Sequence, residues 1–286
     1  MSATKIHTVG VLGAGTMGNG IAHVFAKFGF EVILRDIEQR FLDRALATIG
    51  KNLDREISKN IVAAGERANI LGRIKPVTDP AALGAADFVV EAVTEEVELK
   101  TRVLAEADAH LKPGVILATN TSSISITQLA AATKRPEQFL GMHFMNPVPV
   151  MKLVEVIRGL ATSDAAFTAT MELCQRLEKT PVAVNDAPGF VSNRVLMPMI
   201  NEAAYCVMEG VATAEAVDEV MKLGMNHPMG PLALADLIGI DTCLNILEVL
   251  LAGFGDPKYR PCPLLRKMVA AGWLGRKSGR GFYTYP

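Results

Sequence analysis

The sequence lacks most of what marks a protein built around a large or charged partner. Its 29 lysines and arginines are balanced by 30 aspartates and glutamates, for a formal net charge of −1. That balance removes the electrostatic case for nucleic acid or an anionic membrane as the main partner, because both need a clustered basic surface. Only four cysteines are present, Cys174, Cys206, Cys243 and Cys262, widely spaced and without a CxxC pair. This argues against a zinc site and against a disulfide framework, and the four are expected to be buried thiols. No apolar run reaches the ~18–20 residues that span a bilayer. Near the N-terminus nothing joins a basic start to an apolar run and a small-residue cleavage site, so a cytoplasmic protein is expected.

What is present is apolar residue in quantity, 50% of a 286-residue chain. Domains of about 100–150 residues are the commonest, so this length points to two. From residue 6 to about 184, short β-branched runs alternate with helical patterns: "IHTVGVL", "EVILRD", "FVVEAV", "GVILATN", "FLGMHF", "KLVEVI" and "TPVAVN". Strands buried on both faces read as continuous apolar runs, so this series predicts a doubly wound α/β domain with a mostly parallel sheet over residues 1–185. After "VNDAPGF" the pattern turns helical, with helices expected near 190–209, 213–223, 231–252 and 262–271. Residues 186–286 are therefore expected to form an all-α domain.

"VGVLGAGTMGNGIAHVFAKFG" places Gly13, Gly15 and Gly18 in GxGxxG spacing between a strand and a helix. Gly13 permits the tight turn, Gly15 lets a pyrophosphate approach the backbone, and Gly18 lets helix and strand pack closely. Thr16 and Met17 complete the loop, and the helix N-terminus offers amides and a positive dipole end to phosphates. The second strand run ends in Asp36, 18 residues after the last glycine. A carboxylate there accepts from the adenosine ribose hydroxyls and repels a 2′-phosphate, which selects NAD over NADP. Without a ligand the same turn is only a tight connection, and Asp36 becomes coincidence.

"GMHFMNPVPVMKLVEVI" is apolar, yet it carries His143, Asn146, Lys152 and Glu155. Two prolines interrupt the strand pattern and favour a rigid turn. If the chain folds back symmetrically about Pro149, residues whose numbers sum to 298 face each other, and 143 and 155 do so. A histidine beside an ordered carboxylate has a fixed tautomer and a supported cation, as a general base or acid near neutral pH requires. Alcohol dehydrogenation needs such a base, because the hydroxyl proton must leave as hydride goes to the nicotinamide. An isolated buried pair would more often only satisfy itself; a dinucleotide domain reverses those odds. The other histidines compete poorly: His7 starts the first strand, His23 lies on the first helix, His110 on a polar helix end and His227 in a proline-flanked loop.

These motifs, with "NTSSISI", "DAPGFVSNR", "MGPLALADLIGIDT" and "GRKSGRGFY", run nearly end to end in an order that resembles the 3-hydroxyacyl-CoA dehydrogenases. In its compact length the chain is most like the stand-alone bacterial members acting on 3-hydroxybutyryl-CoA. The resemblance implies NAD-dependent oxidation of a 3-hydroxyacyl-CoA thioester, with His143 as base and Glu155 as its orienting partner. It implies that Ser122 and Asn193 bond the reacting oxygen or the thioester carbonyl, and that Glu95, Lys100, Asn146 and Lys277 contact the nicotinamide half of the cofactor. Read from composition alone, Ser122 and Asn193 could be helix caps and the two lysines solvated charges.

Two rivals remain open from the sequence. One is an NAD-linked dehydrogenase of a free β-hydroxy acid, which would rely on a lysine base in the helical domain. The other is a non-catalytic dinucleotide-binding protein. The family's coenzyme A contacts are lysines on the helical insert after the second strand, where this chain has Lys51 and Arg55. There "RFLDRALATIGKNLDREISKNIVAAG" reads as one long helix, with Lys51, Arg55 and Lys59 at i, i+4 and i+8 on a shared face. The apolar content of "NRVLMPMINEAAYCVMEGVA" predicts a homodimer built on the helical domain.

Overall fold

A computed structural model describes residues 6–286. Contacts divide the chain into two compact units, one running to Asp186 and the other Ala187–Pro286. In the first unit eight strands form one sheet: Thr8–Leu12 (β1), Glu31–Arg35 (β2), Ile74–Val77 (β3), Phe88–Glu91 (β4), Ile116–Thr119 (β5), Phe139–Phe144 (β6), Leu153–Arg158 (β7) and Thr180–Asn185 (β8). Their order is β3-β2-β1-β4-β5-β6-β7-β8. Every pairing is parallel except β6 with β7. This is the doubly wound sheet that the apolar runs predicted.

The connecting helices are Thr16–Lys27 (α1), Gln39–Ser58 (α2), Glu66–Gly72 (α3), Val97–His110 (α4), Ile126–Ala130 (α5) and Asp164–Arg176 (α6). Val9, Val11, Phe88, Val90, Leu140 and Met142 are at most 2% exposed and form the centre of the first core. Strand β6, which carries His143, is buried along its whole length, whereas β8 at the sheet edge is mostly exposed. Parallel central strands need apolar side chains on both faces, which is why these read as unbroken hydrophobic runs.

The second unit is helical: Ser192–Met208 (α7), Ala214–Gly224 (α8), Pro231–Ile238 (α9), Ile240–Phe254 (α10) and Pro263–Ala270 (α11). It has its own core, with Met197, Ile200, Leu232, Leu247 and Leu250 at most 1% exposed. Among the described residues no single helix is long and apolar enough to cross a membrane. Of the four thiols, Cys174, Cys243 and Cys262 are buried and Cys206 is half-buried. Burial pushes Cys174 and Cys243 up to about 12.

Three expectations are corrected. Strand β3, "IKPV", was not foreseen: it is four residues long, contains Pro76 and lies at the sheet edge, where a missing N–H is tolerated. The helix expected over 231–252 is two, because Gly239 adopts φ +106° and redirects the chain between α9 and α10. The long helix expected over 40–65 stops at Ser58, followed by Asn60 at φ +57°. Lys51 and Arg55 remain on the exposed side of α2, one turn apart, but Lys59 is the residue that caps its end.

Candidate active site

The turn from β1 into α1 explains each glycine separately. Gly13 has φ +93°, and a Cβ there would meet the Ala92 carbonyl at 2.8 Å. Its amide donates to the Arg35 carbonyl at 2.8 Å, tying the turn to β2. A Cβ on Gly18 would lie 1.7 Å from the Gly13 carbonyl oxygen, so helix and turn can be this close only with glycine. Gly15, by contrast, has nothing within 4 Å of a built Cβ. It opens α1 with no side-chain cap and no acidic residue in the first turn. The helix end thus keeps its amides and its positive potential for an outside anion.

Asp36 follows β2 and turns its carboxylate back to this loop. Oδ2 accepts from the Ala14 amide at 2.6 Å and Oδ1 from the Ile37 amide at 2.7 Å. A carboxylate has about four lone-pair positions, so capacity remains for ribose hydroxyls. Gly13, Gly15, Thr16, Asp36 and Asn146 all line one cleft of about 660 Å³. Met17 packs against the core instead. The cleft is also walled by residues the sequence reading missed: Arg44, Thr48 and Asn52 of α2, and Val93 and Thr94 after β4. The α2 residues recur at helical spacing and could have been found as one face of that helix. Size, glycine turn, unopposed helix end and carboxylate together fit an extended dinucleotide.

The register of β6 and β7 is the one the symmetric turn predicts: His143 stands opposite Glu155. Their side chains meet with His143 Nδ1 2.8 Å from Glu155 Oε2. The residues are 7% and 2% exposed, so the pair is shielded from solvent. An ionised carboxylate only accepts, so a His143 tautomer protonated at Nδ1 fits this contact. The turn between the strands is held from both sides. A Cβ on Gly20 of α1 would come within 2.9 Å of Val148, and Lys179 donates to the Val148 and Met151 carbonyls at 2.6 and 2.7 Å. Burial, then the nearby Lys27 cation, push the Lys179 ammonium below the usual lysine range. Lys179 escaped the sequence reading because its acceptors are backbone atoms some 30 residues away.

Ser122 caps no helix. Its amide and hydroxyl donate to Glu95 Oε1 at 2.7 and 3.1 Å, and the Thr121 hydroxyl donates to the same oxygen at 2.6 Å. Helix α5 is capped instead by Ser125. Lys100 is no solvated charge: it is 1% exposed, with Nζ 3.3 Å from Glu95 Oε2. Burial raises Glu95, but Lys100, the Thr121 hydroxyl and the Ser122 amide outweigh it and hold the carboxyl below its usual range.

In the helical unit, Asn193 is the second residue of α7 and 9% exposed, its amide donating to the Gly189 carbonyl at 3.1 Å. Lys277 lies 2.7 Å from Asp241 Oδ2 at the start of α10. The structure thus gathers the glycine turn, Asp36 and Asn146 around one cleft, and Glu95, Lys100 and Ser122 into one hydrogen-bonded group. Asn193 and Lys277 belong to the other unit.

Comparison with known proteins agrees with this geometry. Residues 8–187 match the model of the 3-hydroxyacyl-CoA dehydrogenase NAD binding domain, and residues 189–285 that family's C-terminal domain. A probable 3-hydroxybutyryl-CoA dehydrogenase of Bacillus subtilis is 56% identical over 98% of both chains. One from Deinococcus radiodurans is 58% identical over 96% of this chain and 99% of its own. The crystal structure of (S)-3-hydroxybutyryl-CoA dehydrogenase from Ralstonia eutropha superposes with a TM-score of 0.96 at 54% identity, covering 99% of this chain and 100% of that one. With a glycine turn and carboxylate shaped for NAD and both family domains matched in order, the chain belongs to the 3-hydroxyacyl-CoA dehydrogenase family.

Proposed function

We propose that this protein oxidises a short-chain (S)-3-hydroxyacyl-CoA, 3-hydroxybutyryl-CoA above all, to the 3-oxoacyl-CoA, and that the reverse reduction dominates near neutral pH. The observation that carries the reading is the shielded His143–Glu155 pair. In oxidation His143 takes the C3 hydroxyl proton on Nε2, and Glu155, bonded to Nδ1, supports the imidazolium that forms. In reduction the same nitrogen returns the proton. NAD, when bound, supplies the hydride acceptor. The glycine turn and Asp36 hold its phosphates and adenosine ribose, and Glu95, Lys100, Asn146 and Lys277 serve its nicotinamide half. Ser122 and Asn193 bond the reacting oxygen or the thioester carbonyl.

Lys51 and Arg55 recognise the phosphates of coenzyme A, a handle that a free hydroxy acid lacks. Val195 and Val211 of the helical unit are 67% and 70% exposed, and Val220 and Leu223 of α8 are 62% and 79% exposed. An apolar surface of this kind supports a homodimer formed through that unit. A monomeric mass by light scattering at micromolar concentration would refute the dimer.

The test is loss of NADH absorbance with acetoacetyl-CoA, set against free acetoacetate. Wild type should turn over the thioester only. His143→Ala should cut turnover by roughly 10²–10⁴-fold, the scale of one general acid–base group, while NADH still binds. Glu155→Gln should lose activity as well, and a fully active Glu155→Gln enzyme would remove the orienting role.

A further inference from the structure

The turn that joins β6 to β7, residues 145–152, does little to hold itself. Pro147 and Pro149 carry no N–H, and the Val150 and Met151 amides both donate to one acceptor, the Pro147 carbonyl, at 3.0 Å. The start of β8 supplies further donors. Lys179 Nζ binds the Val148 and Met151 carbonyls, and the Thr180 amide donates to the Lys152 carbonyl at 2.8 Å. Two adjacent residues thus grip three carbonyls of the turn. Their own base is fixed, because the Lys179 amide donates to the Cys174 carbonyl of α6 at 3.0 Å, just after Glu178 turns the chain at φ +53°.

Lys179 is 8% exposed, and burying a cation is costly. Glu56 of α2 attracts it, but Lys27 of α1 opposes it and burial penalises its charge. Neutral carbonyls return less than a carboxylate would, so what the contact secures is geometry. The turn it secures is a wall of the cofactor cleft: Asn146, Pro147, Val148 and Pro149 all line it, together with Thr16, Asn19 and Gly20 of α1. Val148 is confined from both sides. A Cβ on Gly20 would come within 2.9 Å of its own Cβ, and its carbonyl is tied to Lys179 at 2.6 Å.

We propose that Lys179 is a positioning residue for the cofactor: by binding the Val148 and Met151 carbonyls it pins the turn, and so sets the distance between residues 146–149 and α1 across the NAD cleft. The proposal rests on the reading of Asn146 as a cofactor contact and names what places that contact. His143 and Glu155 lie within paired strands and are held by the ladder itself, so the effect falls on the cofactor first.

Kinetics with NADH and acetoacetyl-CoA, read together with the thermal midpoint, test it. Lys179→Met keeps the stem and removes every donor. A shift of about 1 Å in a positioned group can cost on the order of 10²-fold, so a loosened turn should raise KM for NADH on the order of tenfold. KM for acetoacetyl-CoA at saturating NADH should change less than about twofold, because its contacts are elsewhere. A lower midpoint with both KM values unchanged, or equal losses on both, would overturn the proposal and leave Lys179 a structural residue. Lys179→Gln, shorter and uncharged, provides the same comparison should Lys179→Met fail to fold. A double-mutant cycle then reads the pinning itself. Gly20→Ala should weaken NADH binding while Lys179 holds Val148 against the new methyl, and should add less than about twofold in Lys179→Met, where the turn can retreat. Equal losses in both backgrounds would overturn the pinning. A wild-type KM for NADH in Asn146→Ala would instead refute the reading of Asn146.

Discussion

Gly15 and Gly18 lie three residues apart in one loop, and the structure assigns them opposite kinds of cost. A methyl group at Gly15 meets nothing within 4 Å, and its backbone, at φ −66° and ψ −166°, is one that alanine adopts. Loss of a glycine N-cap costs up to about 1 kcal/mol, and the stiffer unfolded chain returns about 0.4–1 kcal/mol. The midpoint of Gly15→Ala should therefore stay within about 2–4 °C of wild type. The methyl does occupy the ground a pyrophosphate must approach. If that costs about 1–3 kcal/mol, as overpacking does, NADH affinity falls roughly 5- to 140-fold. At Gly18 the methyl would start 1.7 Å from the Gly13 oxygen and must retreat to about 3.0 Å, a displacement near 1.3 Å that deforms the turn itself. Gly18→Ala should lose both midpoint and affinity. Thermal melts without cofactor and NADH fluorescence titrations measure the two quantities independently. Wild-type NADH affinity in Gly15→Ala would show that no phosphate approaches this loop, and an unchanged midpoint in Gly18→Ala would refute the close contact.

Three further outcomes are expected. Asp36→Ala should weaken NAD binding by about 1.5–3 kcal/mol, the value of a hydrogen bond to a charged group, and relax discrimination against NADP; equal use of NADPH and NADH by wild type would refute the role of Asp36. Replacing Lys51 and Arg55 together with alanine should raise KM for acetoacetyl-CoA, most strongly at low salt, and spare a pantetheine thioester that lacks the nucleotide; equal losses on both substrates would make the two residues structural. Because the folded-state pKa of Glu95 is depressed, its stabilisation is present above the unfolded value of about 4.3 and is lost as pH falls through the folded value. The midpoint gap between wild type and Glu95→Gln should hold at neutral pH and close in acid, and a gap that widens in acid would reverse the sign of that interaction.

What the sequence determined by itself is what local spacing encodes. The glycine turn, the apolar strands and Asp36 follow from neighbours within a few residues or one βαβ unit. His143 opposite Glu155 was legible for a related reason: two prolines force a short return, and antiparallel register makes opposite residues a matter of arithmetic. The expected α2 extension and the unbroken 231–252 helix failed where one backbone angle, at Asn60 or Gly239, overruled a continuing apolar pattern. Only the tertiary structure could decide the rest. Lys100 reads as a surface charge until the end of the interior strand β4 brings Glu91 beneath it and Glu95 beside it. Lys179 becomes a clasp on the turn between β6 and β7 only when β8 pairs with β7. A long cationic side chain has no signature of its partner in its own neighbourhood, because burial and pairing are properties of the packed sheet and not of the local sequence.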